Sequence, residues 1–269
     1  NIEQFYVSSF FKGSADSSKY YGVTGKNGST YYIPKRLTEI EYDATSKTPD
    51  YFLYMLTSIT KVIDKSTSAT KIGKHAFDGC INLADYTSLN SSVSFVDEYA
   101  FQNCASLTAM PQFQLEEVKK YAFANCSSLL IAPSLENADY IGDYAFSGCS
   151  LITSIKIPNA SYMGLNSLYG CSSLTELEVP FVGTIVNSSE AFGVIFGTAS
   201  YDSSYAVSQL SKTYYIPNSL VKLTIGGSSI KESTCVNLTS ITTLTISDSI
   251  ELIGGGAFRG LSSLENITV

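Results

Sequence analysis

The chain has 269 residues, of which 44% are apolar, 12% aromatic and 15% charged. That is enough apolar and aromatic matter to bury a core, which excludes a disordered chain. Seventeen Lys and Arg against twenty-four Asp and Glu leave a net charge of -7 with no basic run, which argues against a nucleic-acid partner.

In chain order, the first feature is a Gly, Ser and Tyr-rich insertion at about 10–30, FKGSADSSKYYGVTGKNGST. It leads into YYIPKRLTEIEY (31 to 42) and LTSITKVID (56 to 64), whose alternation of apolar and polar residues predicts strands centred near Ile40 and Val62. A repeat then begins. IGKHAFDGCINL (72 to 83), VDEYAFQNCASL (96 to 107), VKKYAFANCSSL (118 to 129), IGDYAFSGCSLI (141 to 152) and MGLNSLYGCSSL (163 to 174) share one spacing of apolar, small, aromatic, Cys and Leu positions. The anchor residues Phe77, Phe101, Phe123, Phe146 and Leu168 follow one another at intervals of 22 to 24. Each anchor is followed by a short alternating run such as ITSIKIP (152 to 158) or LTELEVP (174 to 180). These runs predict strands near Tyr86, Met110, Ala132, Ile155 and Leu177.

A second insertion, FGTASYDSSYAVSQLSKT, covers about 193–213. It leads into YYIPNSLVKLTI (214 to 225) and LTSITTLTI (238 to 246), which duplicate the earlier block and add strands near Leu223 and Leu244. The final unit, IGGGAFRGLSSLENITV, closes 252–269 with Phe258 as anchor, Leu261 in place of Cys, and a tenth strand near Ile267. The most regular repeats are therefore 72–180 and 252–269.

One strand every 22 to 24 residues leaves no room for antiparallel return through a tight turn, so equivalent strands are expected to stack in parallel about 4.8 Å apart. The expected fold is an α/β repeat solenoid. It is a right-handed coil with one parallel strand and one short helical or 3-10 turn per repeat, and the strands extend over roughly 45 to 50 Å in a single elongated domain, 1–269. The chain opens at Asn1 without Met, and no stretch reaches the roughly 18 apolar residues of a membrane helix or a signal-peptide core. No membrane insertion is expected within these residues. Any export signal or anchor is expected outside them, in a longer parent.

Five of the six cysteines, at 80, 104, 126, 149 and 171, fall three residues after the anchor position and are expected to form one column. Zinc needs ligands converging on a point, and parallel Cβ vectors suit a disulfide poorly, so buried free thiols are expected and no metal or cofactor. Cys235 takes the anchor position itself. His75 is the only histidine, and sister repeats carry Tyr99, Tyr121 and Tyr144 in its place, which makes it a surface side chain rather than a base for Cys80. No catalytic residues are expected. Glu176 with Glu178, and Glu39 with Glu41, face outward about 7 Å apart on their strands, a spacing that does not exclude glycoside hydrolysis, but no adjacent strand supplies a matching acid, which favours a solvated strand face.

The spacing resembles the leucine-rich repeat, and more closely the BspA-like variety of bacterial cell surfaces, whose units read roughly I-G-x-x-A-F-x-G-C-x-x-L-x-x-I-x-I-P. The resemblance implies a non-enzymatic, extracellular or cell-surface module that binds protein. Host matrix proteins or another cell surface are the implied partners, and a glycan is a further one. The outward strand positions are the expected ligand-binding residues: Asp85, Thr87, Ala109, Pro111, Ile131, Pro133, Ser154, Lys156, Glu176 and Glu178. Among them Ala109, Pro111, Ile131 and Pro133 are expected to form an apolar patch flanked by charges of both signs. The alternatives are a carbohydrate-binding or carbohydrate-processing surface protein and a structural spacer.

Overall fold

Residues two apart in a strand point to the same side, so the runs that alternate at Ile40, Val62 and Tyr86 can bury one row and expose the other. The computed structural model, which describes residues 20–24 and 30–269, arranges them this way. Glu39–Tyr42, Lys61–Asp64 and Asp85–Ser88 form a three-stranded parallel sheet in the register Ile40, Val62, Tyr86. Ser154–Lys156, Glu176–Val179, Lys222–Ile225, Thr243–Ile246 and Asn266–Thr268 form a five-stranded one in the register Ile155, Leu177, Leu223, Leu244, Ile267. Eight of the ten expected strand centres lie in these two sheets.

The two missing strands, at Met110 and Ala132, have a local cause. Counted from Leu83, Leu107, Leu129 and Ile152, Pro111 and Pro133 occupy the position that Thr87 and Lys156 hold in neighbouring coils. Proline has no N–H to donate to a ladder, and two in adjacent coils divide the sheet.

A second parallel sheet runs along another side of the coils. Lys47–Thr48, Lys71–Ile72, Phe95–Val96, Glu117–Val118, Tyr140–Ile141 and Tyr162–Met163 are its six two-residue strands. Ser229–Ile230 and Leu252–Ile253 pair in the same way further on. The first apolar residue of each repeat, Ile72, Val96, Val118, Ile141 or Met163, is the inward residue of these strands. A coil whose face strand is intact thus carries two short strands rather than one.

The limb expected to be helical is not. Among the described residues there is no α-helix, and the 3-10 turn, Phe192–Ile195, belongs to the second insertion rather than to a regular repeat. In the AF limb the N–H groups of His75, Phe77 and Gly79 donate to the carbonyls of Glu98, Ala100 and Gln102 in the next coil at 3.0, 2.8 and 2.8 Å. Those of Tyr99, Phe101 and Asn103 reach Lys120, Ala122 and Ala124. An N–H directed along the solenoid axis is unavailable to the carbonyl four residues back, so the limb is a stack of turns and the α/β description is corrected to an almost wholly β coil. The turns require left-handed backbone at two positions per coil. The second is filled by Gly79, Gly148, Gly170 and Gly260 or by Asn103, Asn125 and Asn237, which tolerate it best, and in the first such turn by Met55.

The core runs as columns. Phe77, Phe101, Phe123 and Phe146 stack with centroids 5.0, 5.4 and 5.3 Å apart. Beside them the thiols of Cys80, Cys104, Cys126, Cys149 and Cys171 are free and buried. Each Sγ donates to a carbonyl of the preceding coil, from Leu53 to Phe146, at 3.0 to 3.3 Å.

The insertions hold one shared element. Most of the first, about 10–30, lies outside the described residues, but Tyr20–Thr24 pairs antiparallel with Thr30–Pro34. In the second, Ser204–Gln209 pairs with Lys212–Pro217. The registers coincide: Tyr21 faces Ile33 and Val23 faces Tyr31, as Tyr205 faces Ile216 and Val207 faces Tyr214. Across the second insertion Glu176 still pairs directly with Lys222, so the hairpin stands outside the strand stack.

Candidate binding face

The coil scaffold sorts the ten expected residues by position. Ser154, Lys156, Glu176 and Glu178 come together on the five-stranded sheet, where Ser154 faces Glu176 and Lys156 faces Glu178 across the strands. Their rows continue to Lys222, Thr243 and Asn266, and to Thr224, Thr245 and Thr268. Asp85 and Thr87 are exposed on the three-stranded sheet, beside Lys61 and Ile63. Between the two sheets lie Ala109, exposed, and Pro111, half-buried, on segments without strand pairing. Ile131 is 61% exposed in the next coil.

Pro133 departs from the expectation. It is buried, because Leu130 and Ile131 are both exposed and the inward positions fall one residue out of the expected phase, on Pro133 and Leu135, so it contributes nothing to the patch. Leu130 takes its place at 52% exposure. Strand alternation assigned Leu130 no outward role, and the two prolines were the signal that alternation fails there.

The charges on the face alternate in sign. Glu39, Lys61 and Asp85 share one row, Lys65 pairs with Glu41, and Lys156 Nζ lies 3.7 Å from Glu176 Oε1. Ion pairs this exposed contribute little to stability, but they set which charges a partner meets. Glu176 and Glu178 sit on one strand, flanked by Ser154 and Lys156 on one side and by Lys222 and Thr224 on the other. No acid stands opposite either of them on the two adjacent strands.

The turn limb carries an aromatic ladder. Tyr51, His75, Tyr99, Tyr121 and Tyr144 stack in order with centroids 4.7, 4.6, 5.1 and 4.8 Å apart. The shared register of His75 with three tyrosines was visible in the sequence; the stacking follows from coils about 4.8 Å apart. His75 is therefore more enclosed than a free surface side chain. Its Nδ1 is 2.8 Å from Asp78 Oδ2, whose carboxyl is pushed up by burial against the opposing pull of that hydrogen bond. The Cys80 thiol does not face His75: it donates to Leu53 O, and burial pushes it up to about 12, which disfavours the thiolate.

Among the described residues no group of three or more His, Cys, Asp or Glu side chains could hold a metal ion, and no helix is long and apolar enough to cross a membrane.

The sequence model of the BspA type leucine-rich repeat region matches this chain in six copies, over residues 46–175, 116–230 and 228–269. The chain belongs to the BspA-type leucine-rich repeat family. Solved structures of leucine-rich repeat proteins are similar to the chain in fold. A leucine-rich repeat protein from Bacteroides ovatus is 18% identical with a TM-score of 0.50, over 94% of this chain and 81% of that one. A leucine rich cell surface protein from Faecalibacterium prausnitzii is 18% identical with a TM-score of 0.45, over 97% of this chain and 77% of that one. No curated protein matches the chain.

Proposed function

We propose that this protein is a non-enzymatic, extracellular binding module of a bacterial surface that presents its strand face to a protein ligand. The observation that carries the reading is the arrangement of that face. Exposed Ala109, Leu130 and Ile131 lie between two sheets whose outward rows hold charges of both signs and hydroxyl groups. An apolar centre with a polar rim is the composition of protein interfaces. Stacked coils hold these groups on a rigid scaffold, so little ordering cost attends binding. A matrix protein or a protein of another cell surface is the ligand class that the family resemblance implies.

The test is binding of the purified protein to immobilised fibronectin, fibrinogen, laminin and collagen, beside a folded variant carrying Ile131→Lys and Glu176→Lys. Binding by the native protein that the variant loses supports the reading. Equal binding by both, or by neither, contradicts it.

A further inference from the structure

The second hairpin turns through Leu210 and Ser211 between the paired residues Gln209 and Lys212, and both turn residues have left-handed backbone, φ 48° and 64°. A two-residue turn with positive φ at both positions favours Asn-Gly, because a bulky side chain there brings Cβ against the following carbonyl. The connection of the duplicated first hairpin contains that pair in its sequence, Asn27-Gly28. Here a leucine stands instead, and it is 43% exposed. Neither turn propensity nor core packing accounts for it.

The root of the turn is fixed to the solenoid. Gln209 is 1% exposed; its Oε1 accepts from Gly193 N and its Nε2 donates to Val236 O, both at 2.9 Å. Asn237 Nδ2 donates to Ser208 O at 3.2 Å in the same place. The tip is thereby held in one position, with Leu210 at its end and exposed Ser208, Ser211, Lys212 and Thr213 around it. A strained, exposed aliphatic side chain on a rigid support, ringed by polar groups, is a preorganised contact.

From these observations we infer that Leu210 is a recognition knob that enters an apolar pocket on the protein ligand, with the polar residues of the tip at the pocket rim. The inference rests on the protein-binding reading above and adds a contact outside the strand face. A single aliphatic side chain is too little to hold the protein to a bilayer, so the occupant is a protein pocket.

Three proteins are compared on the same immobilised fibronectin, fibrinogen, laminin and collagen: native, Leu210→Asn with Ser211→Gly, and Leu210→Met. The first variant installs the favoured turn pair, and its thermal midpoint is expected to rise while its affinity falls roughly ten- to a hundredfold, the loss of one buried leucine contact. Leu210→Met is expected to keep affinity within about threefold, since it fills a similar volume. Native-like affinity in the Asn-Gly variant, with the Ile131→Lys and Glu176→Lys variant still failing to bind, overturns this inference alone. Absence of binding by the native protein overturns it together with the reading on which it rests.

Discussion

At the scale of single residues, the columns decide stability. Phe123 is fully buried between Phe101 and Phe146, at 5.4 and 5.3 Å, so truncation loses both a large apolar surface and two ring contacts. Phe123→Ala is expected to cost about 3–5 kcal/mol, measured by urea unfolding. The thiols give a pH signature. Burial pushes Cys80, Cys171 and Cys235 up to about 12 and raises Cys104, Cys126 and Cys149 as well. In the unfolded chain a thiol ionises near about 8.5. Above that pH the unfolded state releases protons that the folded state keeps, so stability is full below about 8.5 and falls as pH rises toward 12, by up to about 1.4 kcal/mol per thiol per pH unit. Urea midpoints at pH 8, 9 and 10 check this. A variant with Cys104, Cys126 and Cys149 replaced by alanine is expected to show a shallower decline, and an unchanged slope would contradict the thiol account.

At the scale of the element, the proline pair has a direct consequence. Pro111→Thr with Pro133→Val restores two N–H groups at ladder positions between Asp85–Ser88 and Ser154–Lys156. Amide exchange in residues 109–113 and 131–135 is expected to slow in this variant, and unchanged exchange would show that something other than proline divides the sheet. The same residues mark the limits of reading strands from sequence. Alternation located the eight strands at Ile40, Val62, Tyr86, Ile155, Leu177, Leu223, Leu244 and Ile267, because each spans three or four residues, long enough for inward and outward positions to alternate; the terminal strand keeps the pattern although Ile267 is exposed. It overran at Met110 and Ala132, where the hydrophobic pattern persists but the prolines remove donors. It missed the second sheet, since a pair such as Lys71–Ile72 is too short to alternate. The AF limb looked helical from its spacing, yet its N–H groups find partners in the next coil, a choice made by stacking rather than by local propensity.

At the scale of the whole molecule, stability follows from coils that touch only their neighbours. The Phe and Cys columns were legible because a residue at one register position must meet its equivalent about one strand spacing away, whereas of the aromatic ladder only the shared register of His75 with Tyr99, Tyr121 and Tyr144 was legible. The outward positions of the strand face were legible in part: Ser154, Lys156, Glu176 and Glu178 align as expected, Pro133 is buried, and Leu130 is exposed beside Ile131. The tip at Leu210 was not legible, because only backbone angles distinguish a strained turn from an ordinary loop.

The most direct measurement of the central claim compares two single substitutions on opposite sides of the coil for affinity to the fibronectin, fibrinogen, laminin and collagen panel. Ile131→Lys alters the apolar centre of the strand face, and Lys120→Glu alters the turn limb beside Tyr121. The account predicts at least a tenfold loss for Ile131→Lys, a fully contacted aliphatic side chain replaced by a charge, and affinity within about threefold of native for Lys120→Glu. The reverse order would contradict it and move the interface to the aromatic ladder.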